Sequence, residues 1–138
     1  MEQTLLIIKP NAVEDHHIGA IITILEENKV VIKNIKMETL GRDRAEEFYS
    51  IHRGKPYFFR LIDFMTSGPV VELLLEREDC INFIRNLIGA TDPMNADEGT
   101  IRKLYGRNVT QNAAHASDSV ENARREIQFV FNKECLCN

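Results

Sequence analysis

Basic residues are not in surplus in this 138-residue chain: 17 Lys and Arg stand against 21 Asp and Glu, a formal net charge of -4. A mildly acidic protein repels polyanions, which argues against a long nucleic-acid surface or an anionic membrane as partner. Long hydrophobic runs are also missing. The longest mostly apolar stretch, residues 18–25, is far short of the ~20 residues a transmembrane helix needs. The N-terminus starts acidic, and only Leu5 to Ile8 is apolar before Lys9, too little for a secretory signal. Cysteine is scarce. Cys80, Cys135 and Cys137 are odd in number and lack framework spacing, so they read as free thiols of a reducing, cytoplasmic compartment and not as a disulfide scaffold or metal site. There are no repeats and no low-complexity linker. What is present, 43% hydrophobic and 28% charged residues, suits one domain with a real core over residues 1–138.

Periodicity orders the chain into alternating elements. Thr4 to Lys9 is a short Leu- and Ile-rich run, the pattern of a buried strand. Asp15 offers an N-cap to a helix with Ile18, Ile21, Ile22 and Leu25 on one face. Val30 to Leu40 reads as a strand whose alternation slips between Ile32 and Ile35, as at a bulge. Asp43 caps a short helix carrying Ala45, Phe48, Tyr49 and His52, and Pro56 opens another with Phe58, Leu61, Ile62 and Met65. After the breaker Ser67-Gly68-Pro69, Val70 to Leu75 is a strand. Asp79 caps a helix that buries Ile81, Ile84 and Ile88 and ends at Gly89. Ser117 or Ser119 caps a last helix, and the alternation of Ile127, Phe129 and Phe131 predicts a final strand over Glu126 to Phe131. With the short middle helices as an insertion, this is the βαββαβ pattern of an α+β, ferredoxin-like fold with an antiparallel four-stranded sheet. Residues 90–112 show almost no periodicity. A loop that long is usually functional or disordered, and it is the first pointer to a site.

Charge is unevenly spread. The windows Tyr49 to Ile62 and Gly99 to Ser117 hold Arg53, Lys55, Arg60, Arg102, Lys103 and Arg107, and no acid. The rest of the chain carries 11 bases against 21 acids, a net -10. Each window also has a histidine, His52 and His115. Brought together, the windows make a local anion site on an acidic body; apart, they are two solvated basic faces.

The sharpest local signal is Asn112-Ala113-Ala114-His115-Ala116-Ser117-Asp118. A histidine with an unperturbed pKa of roughly 6.5 keeps a neutral, attacking nitrogen near neutral pH, and a carboxylate can orient its ring. By itself a loop histidine is more often structural. The segment, however, resembles the signature N-x-x-H-[GA]-S-D of the nucleoside diphosphate kinases. Thr4-Leu5-Leu6-Ile7-Ile8-Lys9-Pro10-Asn11-Ala12-Val13 resembles that family's opening strand and its I-K-P-D-A motif. Phe48-Tyr49 through His52-Arg53, with Pro56-Tyr57-Phe58, is similar to its F-Y-x-x-H-x-x-x-P-F-F stretch. Phe64-Met65-x-Ser67-Gly68-Pro69-Val70-Val71 is also family-like, as are Arg85-x-x-x-Gly89-Ala90-Thr91-x-Pro93 and Gly99-Thr100-Ile101-Arg102. Six ordered motifs at matching spacing are far more specific than any one of them.

The resemblance implies an enzyme that moves the γ-phosphate of a nucleoside triphosphate to a nucleoside diphosphate by a ping-pong route. His115 would be the nucleophile, oriented by Glu126 and Ser117, though which ring nitrogen attacks is not readable from sequence. Lys9 and Asn112 would bind the ribose hydroxyls, with Lys9 close to the transferred phosphate. Arg85, Thr91, Arg102, Tyr49 and His52 would surround the phosphates, and Tyr57 and Val109 would sandwich the base. Asp118 would reach Mg2+ through water, the metal otherwise resting on substrate phosphates. A base held by stacking implies broad base and sugar specificity. The family's homo-oligomers are tetramers or hexamers, and the short tail after the expected final strand favours a tetramer. Several positions depart from the family pattern: Asn11 replaces Asp, Tyr57 replaces Phe, Lys55 replaces Arg, and Lys103-Leu104 replace a small residue and an acid. The alternative is a non-catalytic nucleotide- or RNA-binding ferredoxin-like domain. Such binders display sheet-face aromatics, whereas the strands here are aliphatic near Leu6 and Leu73.

Overall fold

A computed structural model describes residues 1–136, with side chains as far as Phe131. The thiols of Cys135 and Cys137 therefore lie outside the described part, whereas Cys80 is a buried free thiol. Four strands, β1 (Glu2–Ile8), β2 (Val31–Glu38), β3 (Val70–Arg77) and β4 (Ala114–Ala116), form one antiparallel sheet in the order β2-β3-β1-β4. This is the expected α+β ferredoxin-like arrangement.

β1 is apolar without alternation because it is central and covered on both faces. Leu6 and Ile8 join a core with Ile21 and Leu25 of α2 (Ile18–Glu27) and Ile84 and Ile88 of α5 (Cys80–Ile88). Leu5 and Ile7 face a second core. It is filled by Phe48 of α3 (Arg42–Phe48), by Phe58, Ile62 and Met65 of α4 (Phe58–Met65), and by Val130 and Phe131 of α7 (Val120–Leu136). The bulge expected in β2 appears as a register shift between Ile32 and Asn34.

Several capping expectations are corrected. A short helix, α1 (Pro10–Glu14), follows β1 directly, because Pro10 locks φ at a first helical position. Asp15 is the C-cap of that helix, and His17 precedes α2 without a side-chain cap bond. Asp43 lies in the first turn of α3, whose N-cap is Gly41. Asp79 does precede α5, but with φ 50° and no side-chain cap bond. Glu2 Oε1 accepts from the Ile81 N–H instead, at 2.8 Å.

Gly89 ends α5 at φ 88°, where a Cβ would stand 2.6 Å from the Thr100 hydroxyl oxygen. The stretch 90–112 is less irregular than its composition suggests. It contains a 3₁₀ turn at Pro93–Asn95, capped by Asp92, and α6 (Ile101–Tyr105), capped by Thr100.

The largest correction concerns the end of the fold. The last strand of the sheet is β4, three residues long, and Glu126 to Phe131 belongs to α7, not to a strand. Ala123, Val130 and Phe131 are buried, and Ile127 joins them at helical spacing, partly buried like Phe129. Ser119, and not Ser117, starts α7: its hydroxyl accepts from the Asn122 N–H at 3.0 Å. The preference for a tetramer rested on that strand and loses its basis. No helix among the described residues is long and apolar enough to cross a membrane.

Candidate active site

β4 pairs with β1 through Leu6↔Ala116, Ile7↔His115 and Ile8↔Ala114, so His115 is held against the centre of the sheet. The approach to β4 is strained and over-determined. Ala113 has φ 78°, a region that L residues rarely adopt. Its N–H donates to Asn11 Oδ1 at 3.2 Å, and its carbonyl accepts from the Lys9 N–H at 2.8 Å. Asn11 Nδ2 also donates to the Tyr105 carbonyl. The asparagine at this position thus ties α1 to α6 and to the residue before β4 with both ends of its amide.

The His115 side chain is four-fifths covered. Its Nε2 lies 2.8 Å from Glu126 Oε1, on α7. The same oxygen accepts from the Ser117 hydroxyl at 2.8 Å, and that hydroxyl takes the Leu5 N–H at 3.4 Å. Glu126 is buried, with Arg125 Nη2 3.7 Å from its other oxygen. Phe48 and Tyr49 meet the imidazole edge-on, with ring centroids 5.3 and 5.8 Å away. Nδ1 has no protein partner among the described residues.

His115 opens onto a cleft of about 540 Å³. Lys9, Tyr49, His52, Tyr57, Arg85, Thr91, Arg102, Val109, Asn112, Asp118 and Glu126 all line it. Of the residues singled out from sequence, only Ser117 does not; it sits behind Glu126. The two basic windows do meet here, but not with all six bases. Arg60 and Arg102 line the cleft, while Arg53, Lys55, Lys103 and Arg107 do not. Arg107 turns away to pair with Asp15 and Glu14. Lys9, Arg85 and Arg125 come from outside the windows and make up the cationic wall.

Burial tunes these groups. Lys9 is brought down to about 7, first by burial and then by Arg102. Arg102 falls to about 10 through burial and Arg85, and so stays charged. Its guanidinium grips the Gly89 and Ala114 carbonyls at 2.9 Å each. Burial pushes the Tyr49 hydroxyl well above the usual phenol range, which keeps it a neutral donor. Three buried polar atoms, Tyr49 Oη, Arg102 Nε and Asn112 Oδ1, lack protein partners. Buried polar groups are nearly always satisfied, so these three mark where a polar ligand or water completes the site.

A model of the family described as nucleoside diphosphate kinase matches residues 2–136. The chain belongs to the nucleoside diphosphate kinase family. It is 48% identical over 132 residues to the nucleoside diphosphate kinase of Lawsonia intracellularis, covering 96% of each chain. It is 50% identical over 130 residues to that of Staphylothermus marinus, covering 94% of this chain and 92% of the other. Among solved structures, the Aquifex aeolicus nucleoside diphosphate kinase superposes with a TM-score of 0.93 at 43% identity, over 94% of both chains. The halophilic enzyme of Halobacterium salinarum, solved in complex with CDP, gives 0.92 at 36% identity, over 96% of this chain and 89% of that one. The protein is therefore an enzyme of nucleotide phosphoryl transfer.

Sequence reasoning missed some of the nucleoside diphosphate kinase cleft. Arg60, whose Nε donates to Thr110 at 3.1 Å, joins α4 to the loop opposite. Arg125 leans on Phe48 beside Glu126. Asn122 hydrogen-bonds Asp118, whose carboxyl is held below the usual range chiefly by that bond. None of the three lies in a motif; Arg60 had a cue in its acid-free basic window and Asn122 in its i+4 spacing from Asp118, whereas Arg125 had neither.

Proposed function

We propose that His115 carries the phosphate in a ping-pong nucleoside diphosphate kinase reaction. The observation that carries this reading is the His115 Nε2 to Glu126 contact, which leaves Nδ1 bare toward a cationic cleft. The Nδ1 lone pair attacks the γ-phosphorus, and the bond to the β–γ bridging oxygen breaks, releasing a nucleoside diphosphate. Nε2 keeps its proton, and the Glu126 carboxylate balances the positive charge that develops on the ring. In the second half, a terminal phosphate oxygen of the incoming diphosphate attacks the phosphohistidine and Nδ1 regains its lone pair.

Phosphoryl transfer asks for positioning and charge more than covalent help. Arg85, Arg102 and His52, with the Thr91 and Tyr49 hydroxyls, surround the phosphate chain in this reading. Lys9 and Asn112 take the ribose hydroxyls, and Lys9 also neutralises the moving group. Tyr57 and Val109 hold the base between them, without reading its edges, so purine and pyrimidine nucleotides and both sugars are accepted. Mg2+ held on the substrate phosphates would supply charge neutralisation there. Asp118, which lines the cleft, would reach the ion through water. We place this activity in the cytoplasm, in a homo-oligomer of chains that each act as one domain with 90–112 as the active-site loop.

Incubation with γ-labelled ATP and Mg2+ tests the reading. The expected result is an acid-labile, alkali-stable label on the protein, absent from His115→Ala. Phosphate exchange retained by His115→Ala would overturn it. Turnover of purine and pyrimidine diphosphates should agree within about two orders of magnitude.

A further inference from the structure

Tyr57 stands where the family pattern has Phe, and its additional hydroxyl has a partner. Tyr57 Oη lies 2.7 Å from His52 Nδ1, with the two rings tilted and their centroids 5.5 Å apart. The backbone builds this contact. A 3₁₀ turn, Ser50–His52, runs into a tight return in which the His52 carbonyl accepts from the Lys55 N–H at 3.1 Å. Gly54 takes φ 84° there, open to glycine and strained for other residues. Pro56 then delivers Tyr57 as the N-cap residue of α4, facing back toward His52.

His52 lines the cleft beside Tyr49, and its Nε2 has no protein partner among the described residues. Burial, then the neighbouring His115, Lys55 and Lys9, hold the ring below the usual histidine range against the opposing pull of Asp118. A neutral imidazole has a single N–H, and the hydrogen bond made by one nitrogen decides which of the two carries it. A phenol that donates to Nδ1 puts the proton on Nε2. Without that donor both tautomers are open to the ring, and the one with a bare Nε2 would turn a lone pair toward phosphate oxygens.

We propose that Tyr57 is a positioning residue for phosphate binding: its hydroxyl donates to His52 Nδ1 and holds the ring with Nε2–H in the cleft as a donor to the phosphate chain. This rests on the reading of the cleft as a nucleotide site. The ring that stacks on the base thereby also sets the phosphate contact. Because the hydroxyl is committed to His52, it is not spent on base edges, and the change from Phe does not narrow base choice.

The test is a double-mutant cycle of Tyr57→Phe and His52→Ala, read by calorimetric titration with ADP, GDP and CDP. Tyr57→Phe is expected to raise Kd about three- to tenfold, the worth of one hydrogen bond to a charged ligand. The factor should be the same for all three bases, and Tyr57→Phe should add nothing in the His52→Ala background. Nitrogen-15 spectra should show His52 protonated on Nε2 alone in the parent protein and on either nitrogen in Tyr57→Phe. An unchanged Kd for Tyr57→Phe, an equal loss in the His52→Ala background, a loss confined to one base, or a proton on Nδ1 in the parent would each overturn the proposal. These outcomes are independent of phosphoenzyme formation, so they are distinguishable from a failure of the labelling experiment. His52→Ala binding all three diphosphates as the parent does would remove both this proposal and the assignment of His52 to the phosphates.

Discussion

Lys9 is buried beside Arg102, and its ammonium is half-charged near neutral pH. Anionic phosphates favour the charged form, so nucleotide binding above pH 7 should take up a proton. Calorimetric titration with ADP in buffers of different ionisation heat will measure that uptake at pH 8, and Lys9→Met should abolish it while weakening binding about 10- to 100-fold. The same shift sets a stability trend. The folded pKa lies below the unfolded value, so the unfolded chain binds more protons between about 7 and 10.5, and ligand-free stability gains a contribution from Lys9 as pH rises through that window. Lys9→Met should remove that slope in urea denaturation. Glu126 answers to a different measurement. Glu126→Gln keeps an acceptor for His115 Nε2 but removes the charge that balances the phosphorylated ring. Quenched-flow kinetics should show phosphoenzyme formation about 10- to 100-fold slower, with KM changed less than about threefold.

Between strands the decisive pair is Glu72 of β3, fully buried, and Glu38 of β2. Glu72 lies opposite Lys36 in the strand register, and Arg44 of α3 is also near. Burial, then a shared hydrogen bond with Glu38, raises Glu72 far above the carboxylate range. A carboxyl raised by folding binds its proton in the folded state, so its stability contribution is present in acid and is lost as pH climbs from the unfolded value upward. Glu72→Gln keeps the hydrogen bond without the titration. Its advantage over the parent should be small near pH 5 and grow to about 1–3 kcal/mol by pH 9, as read by urea midpoints. Where α1 meets the approach to β4, Asn11→Ala leaves the Ala113 N–H and the Tyr105 carbonyl without their partner. It should cost about 2 kcal/mol in the same assay. How far sequence reaches is also clearest at this scale. β1, β3, α4 and α5 follow from continuous or helical apolar patterns, and the residues of the site follow from motifs. β4 does not, because Ala114-His115-Ala116 is too short to show a period and is a strand only through its pairing with β1. α7 was misread because Ile127, Phe129 and Phe131 fit a period of two as well as their neighbours fit 3.6, and only the second core decides between them. Arg125 reaches the cleft through tertiary placement, which no local pattern encodes, whereas Arg60 stands in an acid-free basic window whose six members the charge pattern does not tell apart.

Across the whole molecule, β2 is a sheet edge that turns Val31, Ile35 and Met37 outward, each about half exposed. An edge with free backbone groups and apolar side chains is a template for a further strand. The homo-oligomer proposed above should bury it: the parent should sediment well above its 15.9 kDa, and Ile35→Lys should shift it toward the monomer. The sheet also joins the beginning of the chain to its far end. Residues 6–8 pair with 114–116, and the Leu5 backbone meets Ser117, whose hydroxyl reaches Glu126. On the ribosome β1 precedes the other strands and must wait, its outer edge unpaired, for residues 114–116 to follow. The nucleophile and the carboxylate that orients it emerge only after the sheet's other three strands and after Lys9, Arg85 and Arg102 of the cleft. A nascent chain released before residue 115 therefore has no phosphate carrier at all.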